Sequence, residues 1–175
     1  VDKFVTDNTN LPYQSATSYN DQEYYNLLDK DGWHVESITT DMEDGYVNEF
    51  LEKEFPQVNK NFEILKVSDK NFSMLMHISS EHLRPGATVS GPAMFLLADV
   101  TFYLATLSVI GPKSLTVTTN CSINFLRKPT EKNLISEARI LKLGKTLSVG
   151  DVLIYSEDID EPVAHASLTY SIPKN

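Results

Sequence analysis

The sequence predicts an α+β fold in which a curled antiparallel sheet of about six strands wraps round one long central helix. The first observation behind this prediction is a run over residues 93–110 that is apolar on nearly all sides, as in a helix enclosed by other elements. The second is a set of shorter runs that alternate with the period of a half-buried strand. The links between the last four runs are too short for crossovers, so those strands are antiparallel neighbours.

The predicted elements follow one another in a simple order along the chain. A short helix over residues 46–55 comes first, because its apolar residues lie near helical spacing. A hairpin with strands over 61–67 and 71–79 follows, and then the long helix. Four more strands complete the sheet, over residues 114–126, 134–143, 146–156 and 162–172. Among them, Gly144–Lys145 predicts a tight turn and Gly150–Asp151 predicts a β-bulge.

The run over residues 114–126 alternates so regularly that its side chains are expected on two faces. The apolar face carries Leu115, Val117, Cys121, Ile123 and Phe125. The polar face carries Thr116, Thr118, Asn120, Ser122 and Asn124. We therefore expect Thr118 to point the same way as Asn120, opposite to Cys121.

The chain has a formal net charge of −9, which is unevenly distributed. Residues 1–60 hold 13 acidic and 4 basic side chains, a net of −9, whereas residues 61–175 hold 11 of each. This balance argues against nucleic acid as a partner, because phosphate binding needs a basic surface. Residues 1–42 are polar and poorly periodic, so we predict an acidic N-terminal extension over 1–42 and a single domain over 43–175.

The sequence shows no pattern of a metal or nucleotide site. Its single cysteine, Cys121, excludes an internal disulfide, and its four histidines form no cluster with zinc-ligand spacing. Neither a P-loop nor a GxGxxG motif is present, so we expect no cofactor. The first residues lack the charged and apolar regions of a signal peptide, and together with the lone cysteine this favours a cytoplasmic protein.

The long apolar run is nearly long enough to cross a membrane, but its polar residues argue against that role. Asp99, Thr101, Thr106 and Ser108 fall within it, and a central aspartate is expensive in a bilayer. We therefore expect a buried helix and no membrane partner. Because an ionised carboxylate taken out of water is unfavourable unless it is paired or hydrated, Asp99 is also a candidate functional residue.

Ser90, Gly91 and Pro92 form a helix-start signal. Ser90 or Gly91 suits the N-cap, and Pro92 suits the first helical position, where a missing N–H is harmless. The first N–H groups of a helix have no helical partner and carry the positive end of the helix dipole. Such a start can bind an anion or a developing oxyanion, which makes Gly91 a second candidate.

The stretch RPGATVSGPAMFLLADVTFY resembles the helix region of the PaaI-type (phenylacetate-pathway-like) acyl-CoA thioesterases, which have the hotdog fold. Those proteins have a His-Gly-Gly helix start and an aspartate eight residues beyond the first glycine, in a Leu-x-Asp context. Gly91 and Asp99 have that spacing, and Leu97–Asp99 supplies the context. The runs TVTTNCSINFLRKP and LKLGKTLSV also resemble the family, so that the likeness covers roughly residues 46–172.

The resemblance implies hydrolysis of acyl-CoA thioesters to the free acid and CoA. It implies that the Gly91 N–H polarises the thioester carbonyl and that Asp99 is the nucleophile, or the general base for water. Thr118 aligns best with a Ser or Thr that assists in some members, with Thr119 as the alternative. No cofactor is implied beyond the CoA of the substrate.

Three positions depart from the family pattern. Ser90 stands where His is usual, Pro92 stands where the second Gly is usual, and Arg84 stands where Asn or Gln is often found. Ser90 and Arg84 are therefore candidate substrate-binding residues. Phe95, one turn before Asp99, is a candidate for the wall of an acyl site.

The spacing of the two main candidates predicts an oligomer. Eight residues of helix separate Gly91 from Asp99 by about 12 Å, too far for both to act on one carbonyl. Two subunits with antiparallel helices could bring Gly91 of one beside Asp99 of the other. We therefore expect at least a homodimer, and the resemblance implies pairing along the 114–126 strand and, in many members, a dimer-of-dimers tetramer.

Two other readings of the sequence remain open. The chain could be a hotdog protein that binds an acyl-thioester or another small ligand without turnover, as Ser90 in place of His suggests. It could also be a hydratase or dehydratase of the same fold, which ranks lower because those enzymes need a His beside the helix.

Overall fold

The computed structural model describes residues 60–68 and 71–174, together with Glu49, Glu52, Lys53 and Pro56. The short helix predicted over 46–55 lies largely outside the described residues, although Glu49, Glu52 and Lys53 are helical, as is Pro56 just beyond the predicted end. The extension predicted over 1–42, and the boundary after it, lie wholly outside them.

Among the described residues, six strands form one antiparallel sheet that packs against one long helix. In chain order these strands are β1 (Phe62–Val67), β2 (Asn71–Met76), β5 (Val117–Phe125), β6 (Leu134–Leu143), β7 (Leu147–Ser156) and β8 (Ala164–Ser171). They lie side by side in the order β1-β2-β6-β7-β8-β5, which leaves β1 and β5 at the two edges. The predicted α+β architecture, a six-stranded antiparallel sheet on one long helix, is confirmed.

The helix, α1, runs from Gly91 to Ile110 and is covered unevenly along its length. Every residue from 100 to 109 is buried, so its second half is enclosed as predicted. In the first half, Pro92, Phe95 and Leu96 are exposed and Asp99 is half-buried. These four residues recur at helical spacing, so they share one face that the sheet of the described domain leaves uncovered.

By length and composition alone, α1 could cross a membrane. Its most apolar window has a mean hydropathy of 1.9, but 78% of that window is buried inside the domain. A helix whose apolar residues are already covered by a sheet has the pattern of a core helix.

Two threonine hydroxyl groups of the buried helix bond to the sheet or to the helix itself. Thr101 donates to the Leu97 carbonyl at 2.5 Å and shares a 2.7 Å hydrogen bond with Ser136 on β6. Thr106 donates to Ser148 on β7 at 3.1 Å. These bonds satisfy polar groups that would otherwise be destabilising in an apolar core, and they fix the helix against the sheet.

A small hairpin that the sequence analysis did not predict leads into α1. It pairs β3 (Leu83–Arg84) with β4 (Thr88–Val89) through a turn in which Gly86 has φ 92° and Ala87 has φ 51°. The Thr88 hydroxyl donates to the Pro129 carbonyl at 2.7 Å, which ties the hairpin to the segment after β5.

The bulge predicted at Gly150–Asp151 lies instead on the strand opposite. The register between β6 and β7 shifts between Ile140 and Lys142, facing Gly150 and Val149. Gly150 is needed there for close approach, because a Cβ at this position would overlap the Arg139 carbonyl oxygen.

A second bulge, in β5, overturns the expected orientation of Thr118. Its register with β8 shifts between Thr118, which faces Tyr170, and Asn120, which faces Thr169. One extra residue reverses which face the following side chains occupy. Thr118 therefore points toward the helix on the same side as Cys121, and not with Asn120 as unbroken alternation predicted.

Candidate active site

Asp99 is held by two hydroxyl groups that meet on one of its oxygens. Thr118 Oγ1 donates to Asp99 Oδ1 at 2.7 Å, and the Tyr170 hydroxyl lies 2.6 Å from the same Oδ1. The Tyr170 hydroxyl also lies 2.9 Å from the main-chain oxygen of Asp99. Since both side chains bond Oδ1, the second carboxylate oxygen, Oδ2, is the one available to a substrate or a water molecule.

The two donors meet because their strands place them opposite one another. Thr118 on β5 and Tyr170 on β8 are direct cross-strand partners, so both side chains point to the same face of the sheet. That face packs on α1, and the Asp99 side chain lies at the border between the buried and uncovered sides of the helix. The structure thus brings two of the candidate site residues, Thr118 and Asp99, into hydrogen-bond contact.

Tyr170 belongs to this arrangement, although the sequence analysis did not select it. Its side chain is 2% exposed and its ring packs against Phe102 and Tyr103, with ring centroids 5.6 Å and 6.1 Å away. Burial, and then the neighbouring Asp99 carboxylate, raise the pKa of the Tyr170 hydroxyl, so it stays a proton donor. A buried tyrosine needs a partner for its hydroxyl, and that rule could have directed attention to Asp99.

Cys121, on β5, lies near the carboxylate of Asp99. Burial, and then the negative charge of Asp99, raise the pKa of its thiol above the ordinary value. A thiol that stays protonated is a poor nucleophile. Cys121 is therefore a weaker candidate nucleophile than Asp99.

The start of α1 provides an unpaired N–H at the other end of the uncovered face. Ser90 is the N-cap, and its hydroxyl accepts from the Ala93 N–H at 3.4 Å, a long bond. Pro92 has no N–H to offer, and within residues 71–174 no group accepts from the Gly91 N–H. With the helix dipole behind it, this N–H can stabilise negative charge on an oxygen.

Phe125, at the end of β5, lies against Gly91. A Cβ on Gly91 would be 3.2 Å from the tip of the Phe125 ring, which is tight. Phe125 is itself 53% exposed. A side chain at residue 91 would therefore push on an aromatic ring that borders the helix start.

The structure brings some of the predicted site residues together and separates others. Phe95 is 41% exposed on the same helix face as Asp99, one turn earlier. Arg84 is exposed on β3, in the hairpin before the helix. Within one chain Gly91 does not meet Asp99, since both lie on one uninterrupted helix.

The described residues show no metal-binding cluster: across 60–68 and 71–174, no group of three or more His, Cys, Asp or Glu side chains could hold an ion. What the site offers is a carboxylate with one oxygen fixed and, at the far end of an open helix face, an N–H that can receive an oxyanion.

Comparison with solved structures identifies the family. A crystal structure of a candidate thioesterase from Silicibacter sp. TM1040 is 43% identical to this chain, with a TM-score of 0.74. The match covers 79% of this chain and 97% of the other. The chain belongs to the thioesterase superfamily. In agreement, the sequence model of that superfamily matches residues 86–163, which include α1.

More distant structures share the hotdog fold of this thioesterase-superfamily chain. The phenylacetic acid degradation protein PaaI from Thermus thermophilus, as a variant, is 21% identical with a TM-score of 0.60, and the match covers 67% of this chain and 99% of PaaI. A protein from Streptococcus mutans UA159 bound to acetyl CoA is 22% identical with a TM-score of 0.59, over 66% of this chain and 90% of the other. The predicted resemblance to PaaI-like hotdog thioesterases is confirmed. Comparison with curated protein sequences gave no match.

Proposed function

We propose that the protein hydrolyses acyl-CoA thioesters to the free acid and CoA, at a site shared by two copies of the chain. The observation that carries this proposal is the Asp99 carboxylate, fixed through Oδ1 and half-buried at the border of an uncovered helix face. Membership of the thioesterase superfamily supplies the reaction class. The acetyl CoA bound to the Streptococcus mutans protein supports CoA thioesters as the substrate class.

The direction in which β5 crosses the helix supports a site shared by two copies. The Thr118 end of β5 lies at Asp99, and the Phe125 end lies at Gly91. On its outer edge, β5 has no strand partner among the described residues. Two copies joined antiparallel along that edge would place the Thr118 end of one strand beside the Phe125 end of the other. Asp99 of one subunit would then face Gly91 of the other.

Exposed apolar side chains near this edge support the same pairing. Val117 and Phe125 on β5 are each 53% exposed, and Leu115 before it is 77% exposed. On the uncovered face of α1, Phe95 and Leu96 are also exposed. Apolar surface of this kind is stabilised by a partner that removes it from water.

The chemistry needs one carboxylate and one oxyanion donor. As a general base, Asp99 takes a proton from water, whose oxygen attacks the carbonyl carbon, while the Gly91 N–H stabilises the oxyanion. The tetrahedral intermediate then breaks its C–S bond, and the proton passes from Asp99 to the departing CoA thiolate. As a nucleophile, Asp99 would itself attack and release CoA, and water would hydrolyse the resulting mixed anhydride.

The test is thiol release from a panel of acyl-CoAs by the wild type and by Asp99→Asn, side by side. The asparagine keeps the size of the side chain but can neither accept the proton nor attack. We expect turnover in the wild type and its loss in the variant, with unchanged thermal unfolding. Equal turnover in both proteins would contradict the role of Asp99.

A second candidate function, ligand binding without turnover, is favoured by one observation. Ser90 occupies the position where the family usually has His, and its hydroxyl accepts a bond from the helix start. Binding alone predicts measurable affinity for acyl-CoA in calorimetry, with no thiol release from any member of the panel. Thiol release by the wild type decides against it.

We further propose that the reaction takes place in the cytoplasm and needs no cofactor beyond the CoA of the substrate. The lone cysteine, Cys121, fits a reducing compartment. Both proposed routes balance with water as the other reactant.

A further inference from the structure

Tyr170 makes the shortest polar contact to Asp99 in the structure. Its single hydroxyl proton faces two acceptors, Oδ1 at 2.6 Å and the main-chain oxygen of the same residue at 2.9 Å. A hydrogen bond to an ionised carboxylate is stronger than one between neutral groups. The hydroxyl therefore fixes both the backbone and the side chain of one residue.

The Tyr170 ring gives this hydroxyl a rigid base. It is 2% exposed, it packs against Phe102 and Tyr103 of α1, and its strand lies between β7 and β5. A ring enclosed on all these sides has little freedom to follow Asp99 if the carboxylate turns. The hydroxyl thus defines where Oδ1 lies.

We infer that Tyr170 is a positioning residue, which together with Thr118 fixes Asp99 by Oδ1 and so aims Oδ2 at the reacting atoms. This inference rests on the proposed function, because it assigns to Oδ2 the proton transfer or attack described above. Thr118 alone would leave the carboxylate free to rotate about its one hydrogen bond. Two donors from neighbouring strands remove that freedom.

The charged and titratable groups around Asp99 are consistent with this role. Tyr170 faces it from β8, Cys121 from β5, and Tyr103 follows it by one turn on α1. Burial and the nearby carboxylate raise the pKa of both Tyr170 and Cys121, so both stay neutral around neutral pH. Neither adds a second negative charge, and Tyr170 remains a donor.

The test compares Tyr170→Phe with Tyr103→Phe. The first variant removes only the hydroxyl that bonds Asp99. The second removes a hydroxyl from the same ring cluster that donates to the Ser114 carbonyl at 3.3 Å. We expect kcat of Tyr170→Phe to fall about 10- to 100-fold with KM nearly unchanged, since a bond to a charged group is lost at the reacting carboxylate. Tyr103→Phe should stay within about 3-fold of the wild type, because its hydroxyl does not touch Asp99.

A pH profile separates positioning from loss of structure. Without the Tyr170 hydroxyl, the ionised form of the carboxylate has one donor fewer, so the acidic limb of kcat/KM should move to higher pH. A variant that was merely less stable would lose activity at all pH values without moving the limb. Wild-type kcat and an unmoved limb in Tyr170→Phe would overturn the inference.

The outcome for Asp99→Asn distinguishes this inference from the proposed function. If Asp99→Asn is inactive while Tyr170→Phe matches the wild type, the function stands and the positioning role falls. If wild-type protein hydrolyses no acyl-CoA, the mobility of the Asp99 side-chain carboxyl can be measured by carbon-13 NMR relaxation in the folded wild type and both Tyr variants. We then expect greater mobility of this carboxyl only in Tyr170→Phe, and identical mobility in all three proteins would overturn the inference.

Discussion

At the scale of single residues, hydrogen bonds and position on the helix explain how the apolar helix α1 accommodates the carboxylate of Asp99. Two hydroxyl donors on Oδ1 offset part of the unfavourable transfer of a carboxylate into an apolar surrounding. Each hydrogen bond to a charged group contributes about 1.5–3 kcal/mol to the free energy of unfolding. Half-burial leaves Oδ2 within reach of water and substrate, which a structural carboxylate in a closed core would not need.

The role of Thr118 can be tested against its neighbour. Thr118→Val keeps the shape of the side chain but removes the donor to Oδ1, so we expect kcat/KM to fall about 10-fold. Thr119 bonds the Thr169 carbonyl at 3.0 Å in the bulge and does not touch Asp99. Thr119→Val should therefore keep wild-type kinetics in the thiol-release assay. A larger loss in Thr119→Val than in Thr118→Val would show that the wrong hydroxyl has been assigned.

The Gly91 N–H can be removed with little change to the backbone. Pro is tolerated at the first helical position, and Ser90 before it has φ −76° and ψ 154°, the conformation that a residue before Pro adopts. Gly91→Pro should lower kcat about 100-fold, because one oxyanion donor is lost. The control is Gly91→Ala, which also adds a Cβ against Phe125 but keeps the N–H.

Two results decide this prediction. We expect Gly91→Ala to be much more active than Gly91→Pro, with similar unfolding temperatures for both. If both variants are equally impaired, the contact with Phe125 and not the N–H is responsible for the loss.

At the scale of elements, the bulge in β5 determines which side chains reach the site. Without the register shift between Thr118 and Asn120, Thr118 would face away from α1. The sequence predicted the helix start and the spacing to Asp99, since capping and helical repeat depend on adjacent residues. It did not predict the bulge or the pairing of Tyr170 with Thr118, because register depends on contacts between strands far apart in the chain.

The close approach of the chain at Gly150, opposite the bulge in β6, leads to a prediction about stability. A Cβ on residue 150 would overlap both the Arg139 carbonyl oxygen and the Phe102 ring. Gly150→Ala should therefore lower the free energy of unfolding by about 3 kcal/mol or more in chemical denaturation. Gly144→Ala, whose Cβ would meet only the Leu147 carbonyl at 3.5 Å, should change it by less than about 1 kcal/mol. Equal effects of the two substitutions would contradict the close approach.

At the scale of the whole molecule, the proposed mechanism needs more than one copy of the described domain. The Gly91 N–H, which is the proposed oxyanion donor, and the Asp99 carboxylate lie at opposite ends of one uncovered helix face, beside a strand edge that has no partner among the described residues. A second copy is the simplest partner that supplies the missing half to each. The need for a second subunit was predicted from the spacing of Gly91 and Asp99 in the sequence. The sequence did not predict which helix face stays uncovered, because that depends on where the sheet ends.

The interface prediction can be tested with matched exposed leucines. Leu96 is 37% exposed on the uncovered face, whereas Leu65 is 47% exposed on β1, at the opposite edge of the sheet. Leu96→Glu should convert the protein to a monomer in sedimentation analysis and abolish turnover, since a carboxylate buried without a partner is strongly unfavourable. Leu65→Glu should remain a dimer and stay active. Full activity from monomeric Leu96→Glu would contradict the shared site.

The most direct measurement of the shared site is activity in mixed dimers of Gly91→Pro and Asp99→Asn subunits. Each variant alone should be nearly inactive. A mixed dimer has one site with both residues intact and one with both replaced, and about half of randomly paired dimers are mixed, so about a quarter of wild-type activity should return. If no activity returns although subunit exchange is demonstrated, Gly91 and Asp99 do not act across the interface, and the shared site is contradicted.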